Sequence, residues 1–319
     1  MNKNIILITG ATGFIGSHVV KKLLTDESLC TIAFARKNSL RTDWLTKSGA
    51  IAIEGNFYDN DLIKEVFSKY SVNYVIHLAA LRGAGSKEDY FSVNVQGTEH
   101  LLEQSLKYRV SKFIFISSVG VYGTIPNELP ANRKTVLIGD NAYHNSKILA
   151  EQKVNDFIAK GLNAYIVRPT ITYGSGDDGF PNTLVELTKK RHFPLSREEI
   201  KIHLLDVEKF ADLLWKMIKS SPSNQRVFIV ADESPILLQD LVNLIHSHYY
   251  GTDYPSYLKL PSFVFKMLGI FFGIISNEEW LTRIQLISKS WHYDISETLR
   301  CFQYTPSITK NSFIKTMGI

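Results

Sequence analysis

Tyr143 and Lys147, in YHNSK, stand four residues apart, and so do Tyr108 and Lys112, in YRVSK. A phenol beside an ammonium can move a proton on or off a substrate oxygen. A free phenol, with a pKa of about 10, is a poor base at neutral pH, and nearby positive charge brings phenolate closer to the working range. Two copies of the pattern in a chain with 15 tyrosines show that spacing alone proves little. Tyr108 closes a helical stretch and Lys112 opens the apolar run KFIFIS, so that pair straddles a turn. Tyr143 and Lys147 open one continuous helical stretch reaching Lys160, and positions i and i+4 of a helix point the same way. Ser118, in ISSVGVYG just past a buried strand, adds a hydroxyl able to orient the same oxygen. The pattern predicts Ser118, Tyr143 and Lys147 as the catalytic group, with Tyr143 as the acid/base.

Such a group needs elements to hold it. NIILIT, TIAFAR, YVIHLA, KFIFIS and NAYIVR are short, nearly continuous apolar runs, the form of strands buried on both faces of a parallel sheet. Helical stretches such as DLIKEVFSKY and NSKILAEQKVNDFIAK alternate with them. This rhythm predicts an α/β fold, a Rossmann-type doubly wound parallel sheet over residues 1–173. After Gly174 the segments lengthen and turn mainly helical, which predicts a smaller C-terminal substrate lobe over 174–319, with RVFIVA (226–231) as a possible return to the first domain.

Between the first strand and helix SHVVKKLL lies GATGFIG, with Gly10, Thr12, Gly13, Phe14, Ile15 and Gly16. Glycines there let the backbone approach a diphosphate, whose charge the amides and helix N-terminus stabilise. An acidic residue ending the second strand would hold a ribose 2′-hydroxyl. The chain offers Arg36 and Lys37 instead, which suits a 2′-phosphate and favours NADP over NAD. Asn56 and Phe57, after the third strand, stand where an amide can meet the adenine edge. Hydride transfer to or from a carbinol carbon then requires the proton transfer that Tyr143 offers.

Composition narrows the partners. A net charge of +5 with one short basic run, Lys189-Lys190-Arg191-His192, argues against nucleic acid and makes that run a solvated helix end. Cys30 and Cys301 lack metal spacing, His246 and His248 face different sides of a helix, and no metal is expected. GSGDDG (174–179) reads as an active-site loop or plain turn, His77 as a satisfied residue beneath the cleft, and His144 as solvated. The most apolar segment, SFVFKMLGIFFGII (262–275), is too short for a span and reads as a buried helix or a lid over a nonpolar substrate. No signal peptide opens the chain, so a cytoplasmic protein with a small-molecule substrate and no membrane partner is expected.

TGATGFIG, GNFYD, VIHLAA, NVQGT (94–98), SSVGVYG, YHNSK, VRPTITYG and IHLLDV together resemble the extended short-chain dehydrogenase/reductase family, also called the NAD-dependent epimerase/dehydratase family. The resemblance runs along nearly the whole chain, although Cys301-Phe302 stands where Leu-Gly is common. It implies that Ser118, Tyr143 and Lys147 are the catalytic trio, that Leu78, Ala79 and Ala80 line the cofactor cleft, and that Pro169 and Thr170 lie near the nicotinamide. It also implies a homodimer through the helices beginning near Tyr90 and Tyr143. Dehydratases of the family place Asp-Glu after the catalytic hydroxyl residue, whereas Val119-Gly120 follow Ser118, which argues against dehydration. Many nucleotide-sugar epimerases place an asparagine where this chain has Ile171. RPTITYGSGDDGF looks more like the dihydroflavonol reductase and 3β-hydroxysteroid dehydrogenase branch. The expected function is an NADP- or NAD-dependent oxidoreductase interconverting a secondary alcohol and a ketone. The alternative is a nucleotide-sugar epimerase of the UDP-hexose 4-epimerase type with tightly bound NAD.

Overall fold

A computed structural model of the chain describes residues 3–37, 39, 41–275 and 278–319. Its centre is a seven-stranded parallel sheet. The strands are β1 (Asn4–Thr9), β2 (Leu29–Ala35), β3 (Ile51–Glu54), β4 (Val72–His77), β5 (Lys112–Ile116), β6 (Ala164–Pro169) and β7 (Val227–Val230), in the order β7-β6-β5-β4-β1-β2-β3. The order reverses at β1, which pairs with both β2 and β4. Ligands of such sheets bind in the crevice beyond the strand ends at this switch point.

Apolar side chains on both faces of the strands build two cores. On one face, helices α1 (Phe14–Leu24) and α5 (Val207–Lys219) bury Val19, Val20, Leu23, Phe210, Leu213 and Leu214 with Ile6 and Ile8 of β1. On the other, α2 (Asn60–Lys69), α3 (Gly97–Lys107) and α4 (Ala142–Ala159) pack Ile63, Leu101, Leu102, Ala150 and Val154 against Leu7, Phe113 and Phe115. Sheets covered on both faces produce the unbroken apolar runs read from the sequence.

A third core, around Tyr173, Leu195, Ile202, Leu241, Phe265 and Trp291, is drawn mainly from the later part of the chain, with Val119, Val121, Tyr122 and Ala131 joining it from the first half. It contains strands too short for sequence patterning to reveal, such as Leu195–Ser196 paired with Lys259–Leu260 and Lys201–Ile202 paired with Ile236–Leu237. Here α6 (Ser262–Ile274) and α7 (Glu278–Ser288) form a contacting pair. The expected buried helix at 262–275 does not occur: Phe265 is the only buried residue of α6.

Candidate active site

Asn141 caps α4, its side chain accepting from the His144 amide at 2.8 Å, so Tyr143 and Lys147 lie in the first two turns. Lys147 Nζ donates to the Ile116 carbonyl at the end of β5, at 2.8 Å, and lies over the Phe115 ring. The helix is thereby pinned to the strand that leads into Ser118. Ser118 is extended (φ −160°, ψ 150°), and its Oγ accepts from the Gly120 amide at 3.0 Å. The other pentapeptide is taken apart: Tyr108 is more than a third exposed, while buried Lys112 donates to the carbonyls of Met217 and Ser220 at the end of α5.

The electrostatics differ from the expectation. Burial pushes the Tyr143 phenol up to about 12, the Arg82 charge partly opposing it. Lys147 is itself pushed down to about 8 by burial, which its neighbour Glu151 partly offsets. Desolvation therefore dominates at both groups, and the charges opposing it are Arg82 at Tyr143 and Glu151 at Lys147. Tyr143 is held as a neutral phenol and Lys147 as a strained ammonium.

At the switch point the two loops touch. Gly10 has φ +73°, and a Cβ there would sit 2.8 Å from the Ala79 amide nitrogen. A Cβ on Gly16 would fall on the Gly10 carbonyl, so the third glycine lets α1 close against the loop. Ala79 N donates to Thr9 Oγ1 at 3.1 Å and Leu78 N to the Thr9 carbonyl at 3.3 Å, which fixes Leu78, Ala79 and Ala80 beside the glycine turn. Thr12, Phe14 and Ile15 are partly exposed. Exposed Arg36 follows β2, exposed Asn56 and half-buried Phe57 follow β3, and buried Pro169 and Thr170 end β6 beside β5.

Beneath this floor His77 is buried and its pKa lies well below the ordinary value, through burial first and the Lys147 charge second. Thr98 spends its proton on the Asn94 carbonyl (2.6 Å), so His77 Nε2 donates to Thr98 Oγ1 (2.9 Å) and Nδ1 accepts from Thr9 (2.6 Å). His77 is a neutral, satisfied residue, as its sequence context suggests. His144 is not the solvated residue expected. It bonds to Asp140 and Asn141 and covers Gly120, where any Cβ would strike its ring.

Sequence reasoning missed three residues. Asn94, within the π-helical turn Phe91–Gln96, accepts from Leu81 N (2.6 Å) and donates to Ser146 Oγ (2.9 Å), tying the β4 loop to α4. Its motif NVQGT was the available signal. Arg82, whose charge reaches Tyr143, pairs with Asp178 of the 174–179 loop at 3.2 Å, joining segments 96 residues apart. Arg41 Nη1 donates to the Thr12 carbonyl at 3.1 Å. No local pattern marks Arg82 or Arg41.

The model of the NAD dependent epimerase/dehydratase family matches residues 6–231, more than two thirds of the chain. The chain belongs to this family. The UDP-glucose 4-epimerase of Erwinia amylovora is 32% identical over 200 residues, and that of Homo sapiens 34% over 206, each match covering 56% of this chain and 59% of the relative. The chain thus spans about three fifths of the length of these curated relatives. Among solved structures, the UDP-glucuronic acid 4-epimerase from Bacillus cereus in complex with NAD aligns with a TM-score of 0.77 at 19% identity, over 98% of this chain and 97% of that one. The UDP-glucose 4-epimerase with UDP-glucose from Thermotoga maritima gives 0.77 at 21% identity, with the same coverage. At these identities the structures show the shared Rossmann-like fold. The family is NAD dependent by its own description.

Proposed function

We propose that the protein is a nucleotide-sugar epimerase, a cytoplasmic homodimer in which Ser118, Tyr143 and Lys147 act on one sugar hydroxyl. The observation that carries this reading is the convergence of Lys147 and Ser118 on the end of β5 with Tyr143 one turn away on α4. The curated relatives favour epimerisation over the simple reductase reading.

The residues present fit a dinucleotide. Among the described residues, Ile116 O is the only hydrogen-bond acceptor given to the buried Lys147 ammonium, which leaves two of its three donors for ribose hydroxyls. Ser117 Oγ and Thr170 Oγ1, at neighbouring strand ends, are buried without a hydrogen-bond partner among the described residues. When bound, NAD would accept a hydride from the sugar carbon and return it to the opposite face. Tyr143 takes the hydroxyl proton in the first half and gives it back in the second, Ser118 orients the oxygen, and Lys147 holds the ribose. The phenol begins neutral, so it is ready to donate. To take the hydroxyl proton the phenol must first release its own to solvent and become phenolate, which needs positive charge beyond that of Arg82; an oxidised nicotinamide, when bound, would supply it.

The test is incubation of purified protein with UDP-glucose and UDP-N-acetylglucosamine, with products separated chromatographically. The expected result is a 4-epimer without net change in NADH. Stoichiometric consumption of reduced cofactor with a ketone, and no epimer, would replace this reading by the secondary-alcohol oxidoreductase.

That second reading has its own support in half-buried Ile171, which offers no hydrogen bond to a diphosphate, and in the cationic tip of β2. The tip bears on cofactor choice in either case, because exposed Arg36 suits an NADP 2′-phosphate. Arg36→Asp is expected to shift the NADP/NAD affinity ratio at least about tenfold towards NAD, the order of one lost charge-assisted contact. Fluorescence titration with both cofactors measures it, and an unchanged ratio removes Arg36 from that subsite.

A further inference from the structure

Helix α6 turns its apolar side outward. Phe263, Met267, Ile270, Phe271 and Ile274 are each more than half exposed, and Leu268 is 36% exposed. At about 100° per residue these six side chains occupy one arc of roughly 160°, while Phe265 and Phe272 lie on the opposite side against the protein. Ile275, just beyond the helix, and Tyr257, before it, are exposed as well. Trp280 of α7, half exposed, stacks on Phe272 with ring centroids 5.5 Å apart. Scattered exposed apolar residues are ordinary on a soluble protein, but a continuous patch of this kind marks an interaction surface.

We propose that this face docks on the surface of an anionic lipid bilayer, which departs from the expectation of no membrane partner. Charge decides the occupant. Between Ser256 and Ile275 the charged residues are Lys259 and Lys266, both cations, while the acidic residues flanking the segment, Asp253, Glu278 and Glu279, lie off α6, and Glu279 is paired with Arg283 at 2.6 Å. Lys266 is exposed at the margin of the apolar arc, where its ammonium can reach headgroups while its stem lies along the apolar surface. Lys259 opens the segment at its root, where its carbonyl accepts from Arg197 Nε at 3.1 Å and its strand pairs with Leu195–Ser196. Exposed Lys189, Lys190 and Arg191, the densest basic run of the chain, immediately precede that strand. Tyr257 and Trp280 carry the aromatic rings that favour the headgroup level.

Two other occupants fit less well. A two-fold pairing of α6 helices would set the same face against itself and bring two Lys266 side chains together with no acidic residue on the helix to pair them. The arc is also wider than the narrow seam of paired helices. A membrane span is excluded by length: α6 has 13 residues, about 20 Å, against a hydrocarbon core of about 30 Å. Among the described residues no helix is long and apolar enough to cross a membrane. The helix would lie in the interface.

The test is flotation of the full-length protein with vesicles of phosphatidylcholine alone or mixed with phosphatidylglycerol. The expected result is binding to the anionic vesicles that weakens with salt. The double substitution Phe271→Asp and Ile274→Asp should lower the partition coefficient at least about tenfold. Both side chains are exposed, so folding and NAD affinity should be unchanged, and both are measured as controls. Absence of wild-type flotation, or equal flotation of the variant, overturns the proposal. So does a wild-type dimer that the double substitution converts into a monomer, which would give the face to a second copy. None of these outcomes bears on epimerase activity assayed with soluble substrates.

Discussion

Tyr143→Phe is expected to lower turnover about 10³-fold, within the range of about 10²–10⁴ for loss of a positioned proton-transfer group, while NAD affinity stays within about twofold. The substitution removes one oxygen and keeps the ring, whose edge meets Tyr90 at a centroid distance of 6.4 Å and which tilts against His144 at 5.9 Å. No hydrogen bond of the Tyr143 hydroxyl to another described residue needs to be sacrificed, and burial already keeps the group neutral, so no charge is lost when it becomes apolar. Stability and cofactor binding should therefore hold while chemistry fails. Stopped-flow reduction of bound NAD by substrate separates the two steps, because a missing base stops hydride transfer itself. A variant within about threefold of wild type would remove Tyr143 from the acid/base role and leave Ser118 or a bound water to carry the proton.

The sheet was legible because its strands are buried on both faces. NIILIT maps onto β1, Asn4–Thr9, since four continuously buried residues, Ile6 to Thr9, end abruptly at a glycine with positive φ. That Tyr143 and Lys147 share a helix while Tyr108 and Lys112 straddle a turn was also legible, because a turn and a helix leave different local signatures. What could not be read depends on partners distant in sequence or on solvent. Strands of two residues carry no periodicity. The Arg82–Asp178 pair spans 96 residues. The outward face of α6 has the composition of a core helix, and only the surrounding fold shows that nothing described here covers it. The Tyr143 pKa belongs to the same class: charge spacing suggested a fall, while burial, which spacing does not report, produces a rise. His144 depends on the fold in the same way, since its ring lies where a Cβ on Gly120 would be.

The opposite signs at Tyr143 and Lys147 lead to the second large effect. Lys147→Met is expected to abolish activity and yet raise stability at pH 7 by about 2 kcal/mol. Burial holds the folded ammonium at about 8 against an ordinary 10.5. That difference corresponds to a penalty of about 3 kcal/mol, reduced by about 1 kcal/mol for the hydrogen bond to Ile116 that the variant forgoes. The sign follows from proton binding. Below about pH 8 the side chain is charged in both states, and the folded state carries the full cost of the buried charge. As pH rises from about 8 to 10.5 the unfolded chain holds the proton more tightly, so wild-type stability recovers relative to the variant. Urea unfolding of the two proteins at pH 7 and pH 10.5 measures both ends, and the gap should close with increasing pH. A variant less stable than wild type at pH 7, or a gap independent of pH, would show that Lys147 is held comfortably. An ammonium kept at such a cost near two unspent hydroxyls, those of Ser117 and Thr170, is what a ligand-binding residue looks like before its ligand arrives. Saturating NAD should then stabilise wild type more than Lys147→Met, because only the wild type has the ammonium to give it.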